Sequence, residues 1–202
     1  MKSKSNPEYK LRKFKKQDVD SITKYANNKN IAKWLTNEFP HPYSKKDAEI
    51  FIDIVSKEDP IIVFAIEING EAAGAIAVTP ESENKNNESK EKHEKNKQHN
   101  TEIQDTKINI CDKQAELGYW LGEKYWNKGI MTSVIKKMVN YGFETFDIDC
   151  IFATPFLENI VSQKVLKKVG FKNNSDSKTI IKNSEAYEVF IFSIEKNQII
   201  DI

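Results

Sequence analysis

Cysteine is nearly missing from this chain of 202 residues, occurring only at positions 111 and 150. Two cysteines so placed make no metal-ligand spacing and no disulfide framework. An excess of either charge is missing too: 31 Lys and Arg stand against 30 Asp and Glu, for a net charge of +1. No global field therefore draws the chain to nucleic acid or to a bilayer. No stretch approaches 18 consecutive apolar residues, and the opening MKSKSNPEYK lacks the apolar middle of a signal peptide. Internal repeats are also lacking. A soluble protein of a reducing, cytoplasmic setting is expected, with neither nucleic acid nor membrane as partner.

What is present is enough for a core. Hydrophobic residues make up 39% of the chain, with 11 Phe, 7 Tyr and 3 Trp. This length supports one sizeable hydrophobic core. Tyr9 to Phe14 alternates apolar and basic side chains and predicts a strand with one wet face. Val19, Ile22 and Tyr25–Ala26 carry helical spacing, and a short helical piece is expected to include Ile31, Trp34 and Leu35. Phe39-Pro40-His41-Pro42 excludes helix. Ser44, with Asp47 three residues on, is a good N-cap for a helix whose apolar stripe is Ala48, Phe51, Ile52 and Val55.

Pro60 to Ile68 reads as an apolar strand. Asn69-Gly70 is a strong hairpin signal, and Ala72 to Val78 returns as the partner strand. Its small residues, Ala72, Ala73, Gly74, Ala75 and Ala77, predict that something packs close. From Glu81 to Asn100 there is no apolar residue at all. Such a stretch cannot offset its ordering entropy, so a polar, disordered insertion is expected over about 81–108.

Glu116 to Thr132 reads ELGYWLGEKYWNKGIMT. Leu117 to Leu121 has strand character, a polar turn follows, and Gly129 precedes an apolar-periodic helix from about Ile130. A strand that feeds a glycine turn and a helix N-terminus presents free backbone N–H groups and a positive dipole end to a phosphate. Glycine at 129 would let that group approach the backbone closely. Asp149 to Pro155 is a buried-looking strand. Asn159 to Lys168 is a helix closed by Gly170, with Asn159 as its N-cap and Ser162 one turn on. Ile180–Ile181 and Tyr187–Ile194 supply two last strands. The fold class is mixed α/β (α+β) in one domain, 1–202, with about seven strands.

Taken together, several motifs resemble the GNAT acetyl-CoA-dependent N-acetyltransferases, in the RimJ/RimL-type branch that modifies ribosomal-protein N-termini. They are the strand before Gln17-Asp18, the Pro42-Tyr43-Ser44 helix entry, the Asn69-Gly70 hairpin, Ala115 to Leu121, Tyr125 to Thr132, and Asn159-x-x-Ser162 leading to Leu166-x-Lys168-x-Gly170-Phe171. The resemblance implies a splayed central sheet with helices on both faces and acetyl-CoA as co-substrate. Trp120 and Leu121 would flank the pantetheine, and Trp126, Asn127, Lys128, Gly129, Ile130, Met131 and Thr132 would hold the phosphates. Asn159 would hydrogen-bond the pantetheine, and Ser162 would sit near the sulfur. The chain departs from the family at Met131, often a small residue there, and at Ser133, often Glu. It departs again at Leu166, where other branches place a Tyr acid, and in the 81–108 insertion.

Glu116 is the candidate base and Ser162 the candidate donor to the departing thiolate. A backbone N–H of the 118–121 strand would stabilise the oxyanion. Deprotonating an α-amine of pKa near 8 at pH 7.4 costs under ~1 kcal/mol, against ~4 for a lysine, so a weak base suffices for a protein N-terminus. The resemblance implies a protein N-terminal α-amine as the acceptor, used by a monomer or homodimer. The alternatives are a polyamine, aminoglycoside or amino acid acetyltransferase, and a non-catalytic coenzyme A-binding module.

Overall fold

The computed structural model describes residues 8–81 and 108–198. Most of the expected insertion, residues 82–107, lies outside them. Seven strands form one sheet: β1 Tyr9–Arg12, β2 Val63–Ile68, β3 Glu71–Pro80, β4 Gln114–Leu121, β5 Cys150–Ala153, β6 Lys172–Lys182 and β7 Glu185–Glu195, in the order β1-β2-β3-β4-β5-β7-β6. Only β4 and β5 pair in parallel; every other neighbour is antiparallel. The helices are α1 Val19–Ala26, α2 Lys29–Ala32, α3 Lys45–Val55, α4 Ile130–Thr145 and α5 Ile160–Val169.

Local chemistry explains the borders. Asn69 and Gly70 both hold positive φ, 53° and 81°, as the two-residue turn between β2 and β3 requires. At the head of α3, Ser44 Oγ accepts from the Asp47 backbone N–H while the Asp47 carboxylate accepts from the Ser44 N–H, at 3.3 and 2.8 Å. Gly170 caps α5 in the left-handed region, at φ 110°. At β1, the Arg12 guanidinium donates two hydrogen bonds to the Asp18 carboxylate, at 2.7 and 2.8 Å. This anchors the first strand to the turn that enters α1.

Strand alternation splits the core into two layers. Ile66, Ile68, Ile76 and Val78 pack under α4 and α5 with Ile130, Val134, Met138 and Leu166. Ala65, Ala72 and Ala75 face the other way, against Ile22 and Ala26 of α1 and Ala48 and Ile52 of α3. The expected close packing on the small-residue strand is therefore found, since alanines let α1 lie directly on β3. A Cβ on Gly74 would come within 2.5 Å of the Trp120 carbonyl oxygen, so β3 and β4 also depend on a missing side chain.

Two expectations need correction. Cys111 and Cys150 form a disulfide, with S–S 2.11 Å across 39 residues. Parallel pairing of Gln114 with Cys150 brings the segment before β4 alongside the start of β5, a proximity that spacing in the sequence cannot reveal. The second concerns β6, which runs over Lys172–Lys182 rather than the Ile180–Ile181 pair alone. Most of its polar residues face outward, buried Lys182 apart, while the ladder with β7 supplies the ordering. No described helix is long and apolar enough to cross a membrane.

Candidate active site

The sheet opens between β4 and β5. Their ladder has three rungs, Gln114–Cys150, Ala115–Ile151 and Glu116–Phe152, and then stops. β4 continues to Leu121 paired only with β3, while β5 ends at Ala153 paired only with β7. From Leu117 onward the β5-facing edge of β4 has no strand partner, so its backbone groups are available to an extended ligand.

At the far end of β4 the chain turns through Gly122 and a single 3-10 turn, Glu123–Tyr125, to the head of α4. The Trp126 indole N–H donates to the Leu121 carbonyl at 2.6 Å, which folds the turn back on the strand. Asn127 and Gly129 take positive φ, 59° and 71°. Gly129 is the N-cap and offers no side-chain acceptor, so the N–H groups of Ile130, Met131 and Thr132 head the helix uncapped. The Lys128 ammonium bonds the Lys124 carbonyl at 2.8 Å and lies over the Tyr125 ring. Ile130 is buried in the core, Met131 packs against it, and Asn127, Lys128 and Gly129 are exposed. The turn thus combines open backbone donors, a helix dipole and a nearby cation, the attributes of an anion cradle.

Across the opening stands the N-terminus of α5. Asn159 Oδ1 accepts from the Ser162 backbone N–H at 3.1 Å, so this oxygen serves as the helix cap; the amide nitrogen of Asn159 makes no hydrogen bond among the described residues. The Ser162 hydroxyl lies 2.7 Å from the Tyr119 phenol oxygen, a contact that spans the gap. Leu166 is fully buried, so its position is part of the core.

On the opposite face lie Glu116, Gly118 and Trp120. Trp120 packs edge-on to Phe39, at 5.8 Å between centroids, and Phe39 in turn meets Tyr43. A Cβ on Gly118 would meet nothing within 4 Å, so this strand floor is open. Glu116 accepts a hydrogen bond from the Thr154 hydroxyl at 3.2 Å. Its carboxylate reaches solvent yet is walled closely by protein. That desolvation pushes it above the ordinary carboxylate range; the Thr154 bond and the Lys178 charge oppose the rise, and the carboxylates of Glu81 and Glu38 add to it. Glu116, Trp120 and Gly129 thus follow one another along β4 and its turn, with Asn159 and Ser162 across the opening. Leu121 enters it only through its backbone, since its side chain is buried. Sequence reasoning gave no role to Tyr119, Thr154 or Glu38. Nothing in their local pattern sets them apart; the fold alone brings them to the cleft.

The chain belongs to the GNAT acetyltransferase domain family, whose pattern matches residues 9–172. It is 23% identical over 193 residues to the uncharacterized N-acetyltransferase p20 of Bacillus licheniformis, covering 93% of each chain. It is 32% identical over 85 residues to the uncharacterized N-acetyltransferase YoaA of Bacillus subtilis, a match spanning 42% of this chain and 48% of YoaA. Among solved structures, Mycobacterium smegmatis RimJ in complex with CoA-disulfide superposes with a TM-score of 0.71 at 16% identity, over 96% of this chain and 85% of RimJ. Vibrio cholerae spermidine N-acetyltransferase, in complex with CoA and spermine, does so at 0.64 and 18% identity, over 94% and 96%. At these identities the superpositions speak for the fold.

Proposed function

We propose that this chain transfers the acetyl group of acetyl-CoA to a protein N-terminal α-amine by direct attack in a ternary complex. The observation that carries the proposal is the opening between β4 and β5, flanked by the uncapped head of α4 and by Glu116. The coenzyme pyrophosphate would sit on the N–H groups around Gly129 to Thr132, and the pantetheine arm would pair with the free edge of β4, reaching Asn159. The amine would approach over Gly118 from the α1 and α3 side. Glu116 takes its proton, a task suited to a carboxyl held above its ordinary pKa. As the carbon–nitrogen bond forms, a strand N–H bonds the developing oxyanion. The carbon–sulfur bond then breaks, with Ser162 donating to the sulfur.

An α-amine is the acceptor that needs the least help from a base. A second reading, a small polyamine acceptor, is favoured by one observation: Glu38 and Glu81 add negative charge around Glu116, offset in part by Lys178, and a net acidic wall suits a polycation. An acetyl-CoA turnover screen across N-terminal peptides, polyamines and aminoglycosides separates the two. Turnover of N-terminal peptides well above the rest is expected; turnover confined to polyamines would overturn the first reading.

A further inference from the structure

Odd-numbered residues of β4 face α4 and α5, and Tyr119 lies beyond the last rung of the β4–β5 ladder. Its phenol oxygen and Ser162 Oγ are 2.7 Å apart, though 43 residues separate them in the chain. The phenol has no other hydrogen-bond partner among the described residues. The Ser162 backbone is fixed independently, its N–H held on Asn159 Oδ1 in the first turn of α5. A serine hydroxyl carries one proton and two acceptor lone pairs and otherwise rotates freely. If the phenol donates to one lone pair, the Ser162 proton is left to point elsewhere. The open direction is the gap.

We infer that Tyr119 is a positioning residue for Ser162, its phenol donating to Oγ so that the Ser162 hydroxyl proton is aimed into the gap between β4 and β5. The inference rests on the proposed function, in which the thioester sulfur lies in that gap. During transfer the amine nitrogen bonds the acetyl carbon and its proton passes to Glu116. The carbon–sulfur bond breaks with its electron pair on sulfur. Ser162 donates a hydrogen bond to this growing charge, and the released thiolate takes its proton from water. Tyr119 keeps its own proton throughout. Burial pushes the phenol up to about 12, with the Ser162 hydrogen bond acting against that rise, and a transfer from it to a thiolate near 8.5 would run uphill.

Two measurements test this. In steady-state kinetics, Tyr119→Phe should lower kcat about tenfold, the scale of one hydrogen bond to a charged group, with the KM for acetyl-CoA within about twofold. In the Ser162→Ala background the same change should add nothing further. An equal loss in both backgrounds, or a loss carried wholly by KM, would overturn the inference. The second measurement needs no turnover and so stands apart from the proposed function. Ser162→Cys places a thiol at the same position, and its alkylation rate is followed against pH under non-reducing conditions. A donating phenol favours the thiolate, so adding Tyr119→Phe should move the midpoint upward by about half a unit. An unmoved midpoint would show that the phenol does not donate there.

Discussion

On the α4 and α5 side the cleft is made mostly of main chain: the free edge of β4, the turn through Gly129 and the uncapped head of α4. On the α1 and α3 side it is made of side chains drawn from distant segments, Glu38 and Phe39 before α3, Glu116 and Trp120 on β4, and Thr154 after β5. The difference fits the two ligands proposed above. A coenzyme common to a whole family can be held by backbone groups that tolerate sequence change. An acceptor that differs from one member to the next must be chosen by side chains. The two halves should therefore respond separately to mutation.

The largest expected effect is on stability. Cys111→Ala opens a 39-residue covalent loop and should cost about 3–4 kcal/mol by loop-closure entropy, read by urea denaturation. The bridge joins the segment before β4 to β5, at the closed end of the splay, far along the strand from Gly129. Acetyl-CoA affinity should stay within about twofold in the folded mutant, and a large loss would mean that the two halves are not separable.

Next comes Glu116→Gln. A rate loss of ~10²-fold is expected with unchanged acetyl-CoA affinity, and the loss should shrink as pH rises and more of the amine is already neutral. In the wild type the rate should fall as pH drops through a carboxyl pKa above the ordinary range. The sign for stability is opposite. A pKa raised on folding favours the fold below the unfolded value and loses that contribution as pH rises through the folded one, so ionised Glu116 is a burden at pH 7. Glu116→Gln should leave the melting temperature unchanged or higher at pH 7; a drop would assign Glu116 a structural role.

The smallest effect belongs to the scaffold of the acceptor side. Ser44→Ala removes one half of the α3 capping box and should cost about 1 kcal/mol, a fall of roughly 2–4 °C in Tm, with kinetics for the coenzyme untouched. Calorimetric melting and the KM for acetyl-CoA read the two parts.

The same division sets how much could be read from the residues in order. Asn69-Gly70, the Ser44–Asp47 cap, Gly129 and Gly170 were legible because each acts on a backbone within three or four residues of itself. Those signals locate the strands, the helix ends and the turn that heads α4. The Cys111–Cys150 bridge, the Tyr119–Ser162 contact and the carboxylates around Glu116 depend on which strands become neighbours, and a β4–β5 pairing across about 35 residues leaves no local trace. The outer strand β6 was underread for a related reason. Asn173, Ser177 and Lys178 satisfy the pairing geometry with β7 while carrying no hydrophobic pattern to announce it.

The most direct test of the central claim, that the turn through Gly129 holds the coenzyme phosphates, is calorimetric titration of acetyl-CoA into the wild type and Gly129→Asp. At φ 71° the glycine adopts a conformation that a side chain resists, and an aspartate there also sets a negative charge against the pyrophosphate. Wild-type binding and an affinity at least tenfold weaker in the folded mutant, ~1.4 kcal/mol, are predicted. Equal affinity in the two proteins would contradict the placement.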